Sequence, residues 1–164
     1  MTTTMKHPAP AKATVTKAGD RELHIERIFN APRERVWRAY TERDLVKQWW
    51  GRGNKLNVEK FEFERGGHWR FVEHSDGEQH GFEGRFGDIT PGESILWTFE
   101  WDGMPAHTIQ EFLTLEDMGD GRTRLKATSR FFTKEDRDGM LQSGMEGGMN
   151  ESYAALDRLL ATMN

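Results

Sequence analysis

The chain of 164 residues contains no cysteine and no long hydrophobic run. The lack of cysteine excludes disulfides, thiolate metal sites and cysteine nucleophiles, and it fits a reducing compartment. No stretch approaches the roughly 18 consecutive apolar residues that span a membrane. The N-terminus also lacks the apolar segment of a secretory signal. We therefore predict a cytoplasmic protein without a membrane span.

An excess of positive charge is missing as well. Lys and Arg number 23 against 27 Asp and Glu, and the net charge of −4 argues against general binding to nucleic-acid phosphates. The apolar residues that are present include 6 Trp, 10 Phe and 8 Met, which are bulky or adaptable. Such a composition favours a cavity over a tightly interdigitated aliphatic core.

The sequence indicates a tail followed by one domain. Residues 1–13 are polar and contain two prolines, which predicts a disordered tail, and residues 14–164 suit a single domain. The segment RELHIERIF alternates like a strand, and the preceding ATVTKAGD could pair with it through a turn at Gly19. Two short helices follow, and Thr41 with Asp44 resembles a capping box at the start of the second.

Six further strands and a long helix complete the domain. Turn signals such as Asp76-Gly77 separate segments with period-two alternation, and a phase change near Glu59 predicts a β-bulge. After these strands, Thr133 opens a glycine-containing helix that runs to the C-terminus. The order predicts an α+β fold in which a seven-stranded antiparallel sheet covers the long last helix.

Large aromatic side chains recur at alternating positions of the predicted strands, so several should face one surface of the sheet. An ordinary core against the last helix would explain each ring taken singly. Taken together, bulky rings opposite a glycine-containing helix should leave gaps, which favours a ligand cavity. The aromatic candidates for its lining are Trp50, Trp69, Phe71, Phe82, Trp97, Phe99 and Trp101.

Glycines recur inside the predicted C-terminal helix, at Gly139, Gly144, Gly147 and Gly148. Each lowers helix stability by roughly 1 kcal/mol relative to alanine, so a close backbone approach or an empty space should compensate. Alternatively, the helix breaks or begins only near Gly148. Met145 and Met149, together with Met140, would give this wall an adaptable, ligand-tolerant lining, and ordinary core methionines are the alternative.

The indole pair Trp49 and Trp50 closes the second short helix. Successive helical residues point about 100° apart, so one ring can face the sheet while the other packs on the first helix near Trp37. The first ring would then plug the cavity. The alternative is that both rings only pack the two helices onto the sheet.

Histidines supply the polar candidates. His80 and His107 share the strand phase of apolar neighbours and are the predicted polar contacts in the cavity, with Glu111 a weaker candidate. A surface role is the alternative. No histidine spacing matches a metal site, Ser143 lacks the glycine of a nucleophile elbow, and residues 51–55 (GRGNK) lack the ending of a phosphate loop. We predict no metal, no cofactor and no catalytic residue.

Several segments together resemble the Hsp90-ATPase-activator-like branch of the START/Bet v 1-like (SRPBCC) superfamily. They are FNAPRERVWRAYTERDLVKQWWG, FERGGHWRF, EGRFGDITPGESILWTFEW, DGRTRLKATSRF and GMEGGMNESYAALDRLLA, and the resemblance runs from about Arg21 to the C-terminus. It implies the helix-grip fold, a seven-stranded antiparallel sheet around a long C-terminal helix with two small helices closing one end. No invariant catalytic set accompanies this family.

The resemblance and the aromatic composition imply a protein that binds a small hydrophobic or amphipathic ligand in an internal cavity. A lipid, a polyketide-like compound or an aromatic metabolite would be suitable. A stress-response protein that partners a chaperone is the alternative. A second alternative is a cyclase or hydrolase that uses His80, His107 or Glu111 in the same cavity. We expect a monomer or homodimer that binds no nucleic acid.

Overall fold

The structure is a computed structural model that describes residues 12–164. The predicted disordered tail, residues 1–13, therefore lies outside the described residues except for its last two. Of these, Ala13 donates its backbone N–H to Asn150 Oδ1 at 3.0 Å, which joins the segment before the first strand to the last helix. Within the described part of the chain, no helix is both long and apolar enough to cross a membrane.

One antiparallel sheet contains eight strands: β1 Thr14–Ala18, β2 Glu22–Phe29, β3 Lys55–Phe61, β4 His68–Ser75, β5 Glu78–Thr90, β6 Ser94–Trp101, β7 Ile109–Asp117 and β8 Thr123–Arg130. Their order across the sheet is β1-β2-β8-β7-β6-β5-β4-β3. The predicted helix-grip fold is confirmed, with one strand more than the seven predicted. The extra strand is β1, which pairs with β2 across the turn at Gly19, with Val15 opposite Ile25.

The predicted β-bulge lies in β3. Its pairing with β4 shifts register between Val58 and Lys60, where the sequence changes phase near Glu59. An extra residue in one strand lets side chains of both phases face the same side of the sheet. Leu56 and Val58 before the bulge and Phe61 after it accordingly all pack against the core.

Four helices accompany the sheet: α1 Arg33–Thr41, α2 Arg43–Trp49, α3 Lys134–Gln142 and α4 Met145–Thr162. The hydroxyl of Thr133 caps α3 by accepting a hydrogen bond from the N–H of Asp136 at 3.0 Å. The capping box predicted at Thr41 is wrong, because its hydroxyl donates to the Trp37 carbonyl inside α1 at 2.8 Å. Glu42 precedes α2 and makes no side-chain capping bond.

The C-terminal helix is two helices rather than the single one predicted. Ser143 ends α3, and Gly144 has a φ of +83°, a left-handed conformation that glycine adopts without steric strain. The chain therefore changes direction before α4 begins at Met145. The break lies four residues before Gly148, close to where the alternative placed it.

Helix α4 packs across the inner face of the sheet. Its buried side chains all lie from the middle of the helix onwards and are Tyr153, Ala155, Leu156, Leu159 and Leu160. They form one core with α1 and with inward-facing residues of the sheet such as Phe29, Leu113 and Leu125. The first half of α4 borders the cavity described next.

Candidate functional site

A cavity of about 360 Å³ lies between the inner face of the sheet, helix α2 and the α3–α4 segment. This volume falls at the lower end of the roughly 300–1,000 Å³ that is typical of small-molecule sites. At the ~30 Å³ that one water occupies in the liquid, the space holds roughly a dozen non-hydrogen atoms. Aromatic and aliphatic side chains form most of its lining.

The ring of Trp50 meets the aromatic wall of the cavity from the end of α2. Its centroid lies 5.1 Å from those of Phe71 and Phe82, both in edge-to-face orientation. It lies 6.1 Å from the centroid of Trp69 and 6.4 Å from that of Phe99. These separations are those of favourable aromatic pairs, so the wall is held by its own ring contacts.

A glycine fixes the orientation of Trp69 in this wall. Trp69 donates its indole N–H to the Thr98 carbonyl at 3.1 Å, and Gly84 lies opposite Trp69 in the neighbouring strand. A Cβ at position 84 would lie 1.9 Å from the Thr98 oxygen and 2.8 Å from the indole nitrogen. Only glycine at this position leaves room for the hydrogen bond.

The opposite wall combines methionine with glycine. Met140 at the end of α3, with Met145 and Met149 on α4, lines the cavity beside Gly148. A Cβ at Gly148 would meet only the Cδ of Arg52, at 3.6 Å, and a Cβ at 147 would meet nothing within 4 Å. The glycines of α4 are therefore not explained by close backbone approach, and at Gly148 the missing side chain adds to the empty space.

Glu111 on β7 brings a carboxyl group into the cavity. Trp97 donates its indole N–H to one carboxyl oxygen and Ser129 donates its hydroxyl to the other, both at 3.1 Å. Burial raises the pKa of Glu111, and the hydrogen bonds from Trp97 and Ser129 oppose that rise. The net upward shift means that the surroundings disfavour the charged carboxylate relative to water.

Two tyrosines line the cavity near this carboxyl group. Burial is the main cause that raises the pKa of both Tyr40 and Tyr153, and the negative charge of Glu111 contributes in each case. Both phenols therefore remain neutral at physiological pH. They can offer hydroxyl groups to a ligand but no charge.

An ion pair between the partly exposed Arg52 and the buried Glu73 forms a polar part of the cavity lining, which we call the rim. Arg52 has a φ of +63° and donates its backbone N–H to the Ser152 hydroxyl at 2.8 Å. Its Nε donates to Glu73 Oε1 at 3.0 Å, and Asn54 donates to the same oxygen at 3.0 Å. The hydrogen bond with Glu73 raises the pKa of Arg52. The two charges of the rim thus balance each other.

Seven of the eleven predicted site residues line the cavity: Trp50, Trp69, Phe82, Trp97, Phe99, Met145 and Met149. Phe71 does not, since it is fully buried behind the ring of Trp50. It supports the lining ring without facing the cavity itself.

Three predicted residues lie outside the cavity. Trp101 is 39% exposed at the end of β6. His80 lies near the start of β5, 3.5 Å from the carboxylate of Glu78. His107 precedes β7, and its Nδ1 lies 2.9 Å from Asp136. The alternation along a strand predicts the face of the sheet on which a side chain lies, but not its distance from the cavity along the strand. Residues near strand ends therefore lie outside the cavity although they are in the inward phase.

The two indoles of the pair take different roles. Trp49 is buried, donates its N–H to the Ala39 carbonyl at 2.9 Å and meets Tyr40 edge-on at 4.8 Å. It therefore packs on α1, as expected for one member of the pair, and also borders the cavity, while Trp50 joins the aromatic wall. Trp37 packs on Phe63 at 5.9 Å rather than on either indole.

Sequence reasoning missed the polar lining at the rim. Glu73 continues the inward phase of Trp69 and Phe71 on β4, and a carboxyl group in that phase is the signal that could have identified it. The only signal at Arg52 is its place in residues 51–55, which partly resemble a phosphate loop. Among the described residues, no group of three or more His, Asp or Glu side chains is placed to hold a metal ion.

Comparison with protein families gives one match. The profile of the family described as Activator of Hsp90 ATPase homolog 1-like protein matches residues 30–161. No curated protein matches the sequence significantly.

Solved structures of similar fold cover almost the whole chain. A protein from Rhodobacter sphaeroides shares 27% sequence identity with a TM-score of 0.83, and the alignment covers 93% of this chain and 100% of that one. A protein from Arthrobacter aurescens shares 24% identity with a TM-score of 0.82, covering 92% of each chain. DynU16, a protein in the dynemicin biosynthetic locus, shares 24% identity with a TM-score of 0.67, covering 88% of this chain and 48% of that one. The latter two show a common fold alone.

Proposed function

This chain belongs to the family described as Activator of Hsp90 ATPase homolog 1-like protein, and we propose that it binds a small hydrophobic or amphipathic molecule in its internal cavity. The observation that supports this function most strongly is a space of about 360 Å³ between aromatic rings of the sheet and the methionines of α3 and α4. Between the two methionines of α4, Gly148 borders the space without a side chain, and a Cβ there would meet only the Cδ of Arg52, at 3.6 Å.

The dimensions of the cavity narrow the class of ligand. Room for roughly a dozen non-hydrogen atoms suits an aromatic metabolite or a short-chain amphiphile better than an intact two-chain lipid. A dissociation constant near 1 μM, about −8 kcal/mol, requires roughly 0.7 kcal/mol from each of a dozen atoms, which small ligands reach. Burial of apolar ligand surface, at about 25 cal/mol per Å², supplies the main driving force. The ring and thioether lining would hold the ligand by dispersion contacts.

Calorimetric titration with octan-1-ol tests this function on a matched pair of variants. Gly148→Leu places a large side chain at the cavity lining, whereas Gly147→Leu places the same side chain one residue away, where a Cβ meets nothing within 4 Å. Both replacements favour the helix. We expect saturable binding in the unsubstituted protein and in Gly147→Leu, and loss of binding in Gly148→Leu. No binding by the unsubstituted protein, or equal binding by both variants, would rule the function out.

A chaperone-linked interaction is a second candidate function, favoured by the family description. In this case the protein would act through its surface, in the cytoplasm, on an Hsp90-type ATPase. Addition of the purified protein to Hsp90 from the same organism should then stimulate ATP hydrolysis. Stimulation that is retained in Gly148→Leu would separate this function from ligand binding.

A further inference from the structure

Glu111 is the one charged group of the cavity lining that has no partner of opposite charge within the described residues. Its carboxyl oxygens accept hydrogen bonds only from neutral donors, Trp97 and Ser129. Among residues 12–164, no Lys, Arg or His nitrogen lies within 4.0 Å of it. The other charges of the lining, Arg52 and Glu73, are paired with each other. The interior therefore has an unbalanced negative group when Glu111 is ionised.

The hydrogen-bonding capacity of Glu111 is not exhausted by these two donors. Each carboxylate oxygen has two lone pairs and accepts one hydrogen bond from the protein. One acceptor site per oxygen thus remains for a group that enters the cavity. A cationic donor would use these sites best, because hydrogen bonds between charged partners are about twice as strong as neutral ones.

The aromatic rings around the cavity also favour a cationic ligand. Trp97 lies 5.8 Å from Trp69, and Trp50, Phe82 and Phe99 complete the wall. The faces of aromatic rings carry partial negative charge and attract an ammonium group within about 6 Å. A carboxylate or phosphate head group gains nothing from these faces, and ionised Glu111 would repel it.

We propose that the cavity selects ligands that carry a protonated amine on an apolar body, with the ammonium group bound to Glu111 and the apolar part held between the rings and the methionines. This inference rests on the proposed function, since it specifies the ligand class of the same cavity. It excludes fatty acids and other anionic amphiphiles as preferred ligands.

The titratable groups near Glu111 leave its charge uncompensated in the absence of such a ligand. Tyr40 on α1 and Tyr153 on α4 are neutral, because burial raises the pKa of each. The positive charge of Arg27 on β2 lowers the pKa of both tyrosines. Its guanidinium is already paired with Asp157, with an Nη2–Oδ2 distance of 2.6 Å. Burial also raises the pKa of Glu111, because it disfavours the charged carboxylate. A bound ammonium group would reverse that rise by stabilising the ionised form.

Three probes of equal chain length separate the head-group preference from apolar burial. Octylammonium, octan-1-ol and octanoate are titrated calorimetrically at neutral pH against the unsubstituted protein. We expect octylammonium to bind most tightly and octanoate most weakly, with a difference of about tenfold or more between them. Octanoate binding as tightly as octylammonium would overturn the proposal, as would a preference for octanoate that depends on Arg52.

A pair of isosteric variants assigns the preference to one carboxyl group. Glu111→Gln retains the shape and can still accept from Trp97, and Glu116→Gln removes the same charge from an exposed position of the same strand. Glu111→Gln should weaken octylammonium binding by about tenfold and octan-1-ol binding by much less, because only the ammonium loses a charged partner, while Glu116→Gln alters neither. An equal loss for both probes in Glu111→Gln would contradict the proposal but keep the ligand-binding function. No binding of any probe would overturn both.

Discussion

The two halves of α4 face the same sheet with different packing. From Tyr153 to Leu160 the helix buries five side chains, and Leu156 is 0% exposed. Between Met145 and Met149 none of the side chains is fully buried, and two of the five residues are glycine. The first kind of packing makes a core, and the second leaves a cavity.

The difference would allow one helix to serve both stability and the proposed ligand binding. Leucines in the second half fill the space opposite β2, β7, β8 and α1, where Tyr153 meets Phe29 edge-on at 5.4 Å. Glycine and methionine in the first half stand opposite large rings that cannot close the gap alone. The buried side chains of α4 that join the core thus lie towards its C-terminal end, and the proposed ligand would bind beside the other end without disrupting this core.

The largest expected effect is a difference in stability between Leu156→Ala and Met149→Ala. Removal of a fully buried leucine side chain should lower the free energy of unfolding by about 2–5 kcal/mol. Met149 already borders empty space, so its removal should lower it by at most about 1 kcal/mol. Urea denaturation of both variants measures the two values. Equal losses would mean that the two halves of α4 are packed alike.

A smaller effect concerns the buried carboxyl group of the cavity. Burial raises the pKa of Glu111 in the folded protein above the value of about 4.3 expected in the unfolded chain. Its stabilising contribution is therefore complete below the unfolded pKa and is lost as pH rises through the folded pKa. Glu111→Gln has no such loss, so its stability relative to the unsubstituted protein should increase from about pH 4 upwards.

Denaturation of both proteins across that pH range measures the difference, and Glu116→Gln serves as the exposed control. Other carboxyl groups titrate in both proteins and cancel in the comparison. A difference that stays constant with pH would show that Glu111 titrates as it does in the unfolded chain.

Most of the architecture could be predicted from the sequence because it depends on local periodicity. Alternation in the strand segments and the Thr133 cap predict an antiparallel sheet against a C-terminal helix, and the family resemblance implies the helix-grip fold for this order. The extra strand β1 is short and mostly exposed, so its pattern is weak without its partner. The break at Gly144 depends on a backbone conformation that glycine permits but does not require.

The cavity lining was only partly predictable for a related reason. Phase along a strand placed Trp69, Trp97 and Phe99 on the correct face. The phase of alternation could not distinguish them from His80 or Trp101. Whether a given position along a strand lies in the cavity depends on how far the covering helix extends over the sheet. The same limit explains why Glu111, a weaker candidate than the histidines in the sequence, is the group that enters the cavity.

The most direct test of a ligand-binding cavity is methyl NMR of protein labelled at methionine, titrated with octan-1-ol. Met140, Met145 and Met149 line the cavity, whereas Met104 is 44% exposed in the β6–β7 connection and serves as an internal control. We predict that the three cavity methyl signals shift together and saturate while the Met104 signal stays in place. Unshifted cavity signals, or an equal shift at Met104, would contradict the account.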